Sequence, residues 1–236
     1  MNKVCVIAGA GPSLAETNID LIPDTAMFIA CNHYYKITKK YTRQPDAIVI
    51  TDSHRITEVG DNYSDYKGDL YIGNQDYINP PVDKIKSIIK REFFPIPQLP
   101  KRRLRNFGLI NDFKIPQILH DLIFDKRKWN SINIKYNGAN FGSSVIFAAS
   151  QIAIEYGCSK IMYIGVDANY QNGTYAFETE NGMYLNDYFM NNPRQSIEPY
   201  LVSLQIFYEP FGIEFIDCTV NGKLKFIKKS LLENEF

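Results

Sequence analysis

Two tyrosines that follow an apolar run in the second half of the chain could bind a phosphate group. The run at residues 161–166 follows a helical segment and predicts a buried parallel strand. Gly165 and Asp167 lie where that strand would end, and open α/β sheets bind ligands at the carboxyl ends of their strands. Tyr170 and Tyr175 follow, and their hydroxyls can stabilise a phosphate leaving group without adding a charge. The alternative is a surface loop made of ordinary turn residues.

Polar groups also follow three predicted strands in the first quarter of the chain. They are Gly9, Ala10 and Gly11 after residues 4–8, Asn32 after residues 26–31, and Asp52 with His54 after residues 45–51. Pro12 suits a first helical position, so the amides of the glycine turn could bind an anion at a helix N-terminus, although a tight turn without a ligand is the alternative. Because these groups converge on one edge of the sheet, the sequence predicts a nucleotide site there.

A helix is predicted for residues 140–156, with small side chains that allow a close approach to the sheet. Gly142, Ser143 and Ser144 lie at its start. They would direct backbone amides and hydroxyls towards a ligand at the same edge.

The elements that position these residues predict an α/β, Rossmann-like fold with a mostly parallel sheet and helices on both faces. Further strands are expected at residues 69–73 and 213–218, and further helices at residues 195–211 and 226–233. The nucleotide-binding domain would comprise residues 1–168 and 197–236, with a partly helical insertion at residues 76–136. Within that insertion, residues 82–93 have helical apolar spacing. Residues 169–196 are polar and aromatic, as is typical of a lid over a donor site.

The segment around Tyr170 resembles the donor site of the small bacterial sialyltransferases, glycosyltransferase family 42. The resemblance extends to residues 4–14, 31–32 and 142–144 and is weak between residues 75 and 135. It implies an inverting transferase that moves a sialic-acid-like sugar from a CMP-sugar to a glycan acceptor, such as a surface polysaccharide or lipooligosaccharide. The tyrosines would then hold the donor phosphate. The donor-binding residues implied by the resemblance and the strand ends together are Gly9, Ala10, Gly11, Asn32, Asp52, Ser143, Ser144, Gly165, Asp167, Tyr170 and Tyr175.

The general base of this family has no counterpart in the sequence. The family carries a lid histidine shortly before the helix predicted here from residue 195, whereas this chain has no histidine after His120. His54 and Asp52 are the catalytic candidates because both follow a strand at the predicted ligand edge, and Glu178 is a further possibility. Arg194 could neutralise a carboxylate or phosphate but could not act as a base.

A second resemblance is to the Rossmann-like family that includes archaeal hydroxymethylpterin diphosphokinases. It rests on residues 45–52, on the helix-opening Gly-Ser-Ser, on residues 165–167 and on Asp217-Cys-Thr with Gly222. It implies that Asp52 and Asp167 hold Mg²⁺ for diphosphoryl transfer. The first interpretation needs no cofactor and no metal. A third is a catalytically inactive nucleotide-binding relative, which the missing histidine leaves open.

Composition excludes several partners. The 26 basic and 26 acidic residues cancel, which gives no electrostatic case for nucleic acid. The four cysteines lie in or beside strand-like runs without metal-ligand spacing, which favours a reduced, cytoplasmic chain. No signal peptide or membrane span is expected, so any membrane contact would be peripheral. The basic residues 101–105 form either a solvated loop or a lipid contact. A homo-oligomer remains open.

Overall fold

The computed structural model describes residues 3–37, 40–50, 66–73, 91–93, 109–110, 113–114, 144–169 and 193–236. Their main feature is an eight-stranded sheet in which every pairing is parallel. Its strands are β1 (Lys3–Ala8), β2 (Met27–Cys31), β3 (Ala47–Ile50), β4 (Asp69–Gly73), β5 (Arg91–Phe93), β8 (Cys158–Ile164), β9 (Glu214–Asp217) and β10 (Lys228–Lys229). A separate antiparallel pair is formed by β6 (Leu109–Ile110) and β7 (Phe113–Lys114).

The order of the strands places a topological switch point beside β1. From one outer strand to the other the order is β10-β9-β8-β1-β2-β3-β4-β5. The chain therefore moves outward from β1 to β5 and then returns to build β8, β9 and β10 on the other side. Ala8 at the end of β1 is in register with both Ala30 and Ile164. In open α/β sheets the crevice at such a switch point is where ligands bind.

The sheet is buried on both faces, which explains its nearly continuous apolar strands. Along β1, Cys5 and Ile7 pack into one hydrophobic cluster, whereas Val6 and Ala8 pack into the other. All four side chains are fully buried. This alternation is the two-residue period of a strand.

Two α-helices cover the first of these faces. They are α1 (Val145–Glu155) and α2 (Pro193–Tyr208), and side chains of both join the cluster that contains Cys5 and Ile7. Within the described residues, the opposite face is covered by short 3-10 turns at Pro12–Glu16, Ile19–Leu21 and Asn32–Lys36. Each α-helix leads into the amino end of a parallel strand, so both helix N-termini lie at the carboxyl edge of the sheet. The predicted Rossmann-like α/β fold is confirmed.

Three local predictions are wrong. Residues 226–233 were expected to form a helix, but they contain β10 and the start of a 3-10 turn at Leu232–Asn234. The glycine turn leads to a five-residue 3-10 helix instead of an α-helix. Arg91–Phe93, at the end of a stretch with helical apolar spacing, is a strand that pairs with β4. In each case tertiary contacts override a local pattern.

Other predictions agree closely or stay untested. The strand at Asp69–Gly73 has the predicted bounds, whereas the run at residues 161–166 is a longer strand that ends at Ile164. Most of the predicted insertion and lid, at residues 76–136 and 169–196, lies outside the described residues. In the part of the chain that the structure describes, no helix has both the length and the apolar character needed to cross a bilayer.

Candidate functional site at the carboxyl edge of the sheet

The glycine turn after β1 lies directly against the end of β8. The Gly9 N–H donates to the Ile164 carbonyl at 2.8 Å, and the Gly11 N–H donates to the Gly165 carbonyl at 2.9 Å. A Cβ on Gly9 would lie 2.4 Å from the Gly165 oxygen, which is backbone and cannot move aside. Gly165 itself has φ +62°, a conformation that glycine adopts without strain. The glycines therefore let two strand ends approach closely.

Asp167 caps the turn that follows. Its Oδ1 accepts a hydrogen bond from the Ser13 N–H at 3.1 Å, and its Oδ2 accepts one from the Ser13 hydroxyl at 2.9 Å. Burial raises the pKa of Asp167, and the Ser13 bonds oppose that rise. The carboxylate thus occupies the N-terminal side of the 3-10 turn.

This arrangement reduces the number of free amides expected at the glycine turn. The N–H groups of Gly9, Gly11 and Ser13 all have acceptors within the chain, and Pro12 has no N–H. A 3-10 turn of five residues also has little dipole to attract an anion. The glycines at this turn are thus explained by packing against β8, whatever they contact in a ligand.

Asn32 is one of the described residues at this edge that bury a polar atom without a hydrogen-bond partner. It follows β2, has φ +49° and buries its side-chain Oδ1, which has no hydrogen-bond partner among the described residues. A buried acceptor without a partner costs about 1–3 kcal/mol, and positive φ adds strain. An unsatisfied group of this kind calls for an explanation, and a ligand donor is one.

A loop after β9 forms a further part of this edge, which we call the β9 loop (residues 218–223). Its Thr219 hydroxyl accepts a hydrogen bond from the Val166 N–H at 3.1 Å. Its Lys223 N–H donates to the Asp167 carbonyl at 2.9 Å. Two hydrogen bonds therefore join this loop to the segment that ends β8.

Asp217 brings a second buried carboxylate to this edge. Only 1% of the residue is exposed, and its Oδ1 accepts a hydrogen bond from the Thr219 N–H at 3.0 Å. The Lys229 Nζ lies 3.5 Å from the other oxygen, Oδ2. Burial raises the pKa of Asp217, and the Lys229 charge partly offsets that rise. Asp217-Cys-Thr was visible in the sequence as a resemblance, but strand prediction alone did not identify it as part of the site.

Backbone strain is concentrated at the same edge. The non-glycine residues with positive φ among those the structure describes are Asn32, Ala168 and Asn221. They follow β2, β8 and β9 respectively, each within a few residues of the strand end. Left-handed conformations of such residues are uncommon and often cluster at functional sites.

Side chains at the start of both α-helices at this edge have partners inside the chain. The Ser144 hydroxyl caps α1 by accepting a hydrogen bond from the Ile146 N–H at 3.3 Å. Arg194 in the first turn of α2 places Nη1 3.3 Å from Oε2 of Glu198, a fully buried residue. The other carboxylate oxygen of Glu198 accepts backbone N–H bonds from Lys225 and Phe226. Glu198 therefore joins α2 to the segment that follows the β9 loop.

The structure thus brings together the glycine turn (residues 9–11), Gly165 and Asp167, and Asn32 follows directly after the neighbouring strand β2. The other predicted site residues lie outside the described residues; they are Asp52, His54, Ser143, Tyr170 and Tyr175. Within the described ranges no group of three or more metal-ligating side chains is found.

Comparisons with known proteins agree with this fold. The family model described as 6-hydroxymethylpterin diphosphokinase MptE-like matches residues 1–173. No curated protein sequence matches the chain.

Solved structures with a similar fold include two sialyltransferases from Campylobacter jejuni. CstII in complex with cytidine-5'-monophosphate has a TM-score of 0.53 and 18% identity, over 96% of this chain and 84% of that one. The monofunctional alpha-2,3-sialyltransferase Cst-I has a TM-score of 0.52 and 16% identity, over 92% of this chain and 75% of that one.

The MAf glycosyltransferase from Magnetospirillum magneticum AMB-1 has a TM-score of 0.60 and 14% identity to this chain. The match covers all of this chain but 35% of that protein, so the chain spans about a third of its length. At such identities these likenesses establish the fold. Both resemblances seen in the sequence are confirmed, the second by the family model and the first through the fold.

Proposed function

The chain belongs to the 6-hydroxymethylpterin diphosphokinase MptE-like family, and from this premise we propose that it is a glycosyltransferase using a CMP-sugar. The sugar is sialic-acid-like, and the acceptor is a glycan of a surface polysaccharide or lipooligosaccharide. Support comes from the fold, which is similar to that of a sialyltransferase in complex with cytidine-5'-monophosphate. The chain acts in the cytoplasm, with at most peripheral membrane contact.

The observation that carries the proposal is Asn32. Its strained backbone and buried, unpaired Oδ1 lie one strand away from the switch point. The resemblance to the sialyltransferases gives an asparagine at this position a donor-binding role. An amide oxygen can accept a hydrogen bond from a ribose hydroxyl or a base amino group, and binding would then satisfy an acceptor that has no partner among the described residues.

The leaving group is stabilised by the hydroxyls of Tyr170 and Tyr175 in this proposal. Phosphate becomes more negative as the glycosidic bond breaks, so donors aimed at it act mainly in the transition state. Tyr170→Phe and Tyr175→Phe should each reduce kcat while leaving the fold intact, because a hydrogen bond to a charged group contributes about 1.5–3 kcal/mol. Wild-type kinetics in both variants would make this loop structural only.

Deprotonation of the acceptor hydroxyl falls to His54 or Asp52. Both come shortly after β3, whose carboxyl end faces the same edge as Asn32. An imidazole titrates near neutral pH and suits this step, whereas Asp52 would need a raised pKa or would bind the ribose.

Ligand-dependent unfolding tests the proposal most directly. The purified chain is heated with CMP, UDP, GDP or ATP, each with and without Mg²⁺. A true ligand at 100 times its Kd stabilises the folded state by about 2.7 kcal/mol. We expect CMP to raise the unfolding temperature most, without a need for Mg²⁺. Transfer from labelled CMP-sialic acid to a glycan then tests turnover.

A Mg²⁺-dependent diphosphokinase is the second candidate, and the description of the matching family model favours it. Asp167 and Asp52 offer the hard oxygen ligands that Mg²⁺ prefers, although each Asp167 oxygen already accepts a hydrogen bond from Ser13. Stabilisation by ATP with Mg²⁺, but not by CMP, would select this candidate. Binding of CMP without any turnover would instead indicate a catalytically inactive relative.

A further inference from the structure

The carboxyl edge has a charge problem if its ligand is a nucleotide sugar. Asp167 follows β8 and Asp217 ends the neighbouring strand β9. Burial raises the pKa of both carboxyl groups, and the Asp217 charge raises that of Asp167 further. A CMP-sugar of the sialic acid type adds a phosphate and a carboxylate. The proposed phosphate ligands Tyr170 and Tyr175 bring no charge, so a cation is needed to offset the repulsion.

Two basic side chains at this edge are already engaged. Arg194 pairs with the buried Glu198, and removing its charge from that carboxylate would be costly. Lys229 donates to the Gly222 carbonyl and lies 3.5 Å from Asp217. Neither is therefore available for a ligand without breaking a contact inside the protein.

Lys223 occupies the same edge and is exposed to solvent. Its backbone is fixed there because its N–H donates to the Asp167 carbonyl at 2.9 Å. The side chain of Lys223 is thus attached shortly after Asp217 in the chain and beside the backbone of Asp167, whose segment continues to Tyr170.

The β9 loop that presents Lys223 has a defined shape. Asn221 has φ +56°, and the Gly222 N–H closes a turn on the Thr219 carbonyl at 3.1 Å. A Cβ on Gly222 would lie 2.9 Å from the Thr219 Cβ and 3.2 Å from Oδ2 of Asp217. A strained residue followed by a tightly packed glycine indicates that this loop is held in one conformation.

We propose that Lys223 binds an anionic group of the donor, either the phosphate or the carboxylate of the sugar. The inference rests on the proposed function and adds a cationic subsite, on the β9 loop, to the donor-binding residues. An ammonium on a flexible stem can follow the phosphate as the glycosidic bond lengthens.

The test compares three probes on four proteins by calorimetry at low and high salt. The probes are cytidine, CMP and CMP-3FNeuAc, which is a substrate analogue of the sialyltransferase CstII. The proteins are the wild type, Lys223→Met, Lys223→Arg and the control Lys225→Met. Lys225 is exposed and lies two residues further along the same segment. Lys223→Met should lower the affinity for CMP or CMP-3FNeuAc about three- to fivefold at low salt, as expected for a solvent-accessible ion pair. The loss of affinity should be smaller at high salt. Cytidine affinity should not change, Lys223→Arg should retain most of the affinity, and Lys225→Met should behave as wild type.

Each outcome has a separate meaning. If Lys223→Met already has a lower affinity for CMP, Lys223 binds the phosphate. If its affinity falls only for CMP-3FNeuAc, Lys223 binds the carboxylate of the sugar. If Lys223→Met binds CMP and CMP-3FNeuAc as tightly as the wild type does, or loses affinity for cytidine to the same extent, the proposed cationic subsite is wrong while the proposed function stands. If the wild-type protein binds neither CMP nor CMP-3FNeuAc, both are overturned.

Discussion

The two edges of the sheet differ in how some of their polar side chains are paired. At the amino edge, Oδ2 of Asp46 accepts hydrogen bonds from the Phe28 N–H and from Arg43 Nη2, both at 2.8 Å. The Tyr156 hydroxyl at the same edge donates to Oδ2 of Asp69 at 2.7 Å. At the carboxyl edge, in contrast, the amide oxygen of Asn32 has no partner within the described residues.

The difference separates residues that stabilise the fold from residues that are kept ready for a ligand. Paired carboxylates such as Asp46 join neighbouring strands at the amino edge. The strained residues and the two carboxylates with raised pKa values lie at the carboxyl edge. Sites that must bind or react often lower stability in this way, and the rest of the fold compensates.

The largest difference between the edges should appear in turnover. His54→Ala should lower the transfer rate by about 10²–10⁴-fold, because a general base contributes that much, and should remove any pH limb near neutrality. Tyr156→Phe is the control, since it removes the hydrogen bond to Asp69 at the amino edge and should leave the rate per folded molecule unchanged. A loss below tenfold with the limb retained would exclude His54 and direct attention to Asp52.

The next largest difference between the edges should appear in the free energy of unfolding when a glycine at each edge is replaced by alanine. In Gly9→Ala the new Cβ would lie 2.4 Å from the Gly165 oxygen, so we expect the free energy of unfolding to fall by about 3 kcal/mol. Gly157 at the amino edge has φ +77°, and apart from its chain neighbours no atom of the described residues would lie within 4 Å of a Cβ there. Gly157→Ala should therefore cost only about 1 kcal/mol of backbone strain. Urea unfolding measures both. Equal costs would mean that the close approach of β1 and β8 is not tightly packed.

Sequence patterns were sufficient for the α/β fold class and the central strands, because these strands are apolar runs. The run at Asp69–Gly73 has the predicted bounds, whereas the order of the strands was not predicted. In contrast, β10 consists of Lys228 and Lys229, which carry no strand pattern. The strand β10 depends on its pairing with β9, and nearby the Phe226 N–H donates a hydrogen bond to the buried Glu198. Both contacts join segments that are distant in the chain, so local sequence patterns could not predict them.

The candidate site was predictable in place but not in contacts. Strand ends correctly indicated Gly9, Gly165 and Asp167 as one edge. The Asp167 carboxylate, however, bonds to Ser13, which is 154 residues away in the chain. The Ser13 N–H, which was expected to be free, is therefore occupied. Asp217 was visible as a motif, but its burial depends on packing that no local pattern encodes.

Asn32→Gly should change stability and binding in opposite directions. Glycine tolerates positive φ and removes the unpaired Oδ1, so the free energy of unfolding should stay the same or rise by about 1 kcal/mol. CMP affinity should fall about tenfold through the lost hydrogen bond. Tyr66→Phe at the amino edge removes a 2.9 Å bond to the Pro45 carbonyl and should show the reverse pattern, with about 1 kcal/mol lower stability and unchanged CMP affinity. Unfolding curves and calorimetry would contradict the comparison if Asn32→Gly were less stable and bound CMP normally.

The smallest effect, and the one that tests the sign of the comparison, is pH dependence. Burial raises the pKa of Asp217 above 3.8, so its contribution to stability is fully present below that pH and is lost as pH rises through the folded-state pKa. At the amino edge, bonds from Arg43 and Thr42 lower the pKa of Asp20 below 3.8, so its contribution is present above that value and is lost as pH falls.

The free energy of unfolding of Asp217→Asn should therefore rise relative to that of the wild type as pH rises from about 4. As pH falls below about 4, Asp20→Asn should lose less of its free energy of unfolding than the wild type does. Lys229 sharpens the test. Its charge lowers the pKa of Asp217, so Lys229→Met should raise that pKa further and shift the loss of stability to higher pH. Urea midpoints between pH 3 and 7 measure all three variants, and parallel profiles for Asp217→Asn and Asp20→Asn would mean that the two edges do not differ electrostatically.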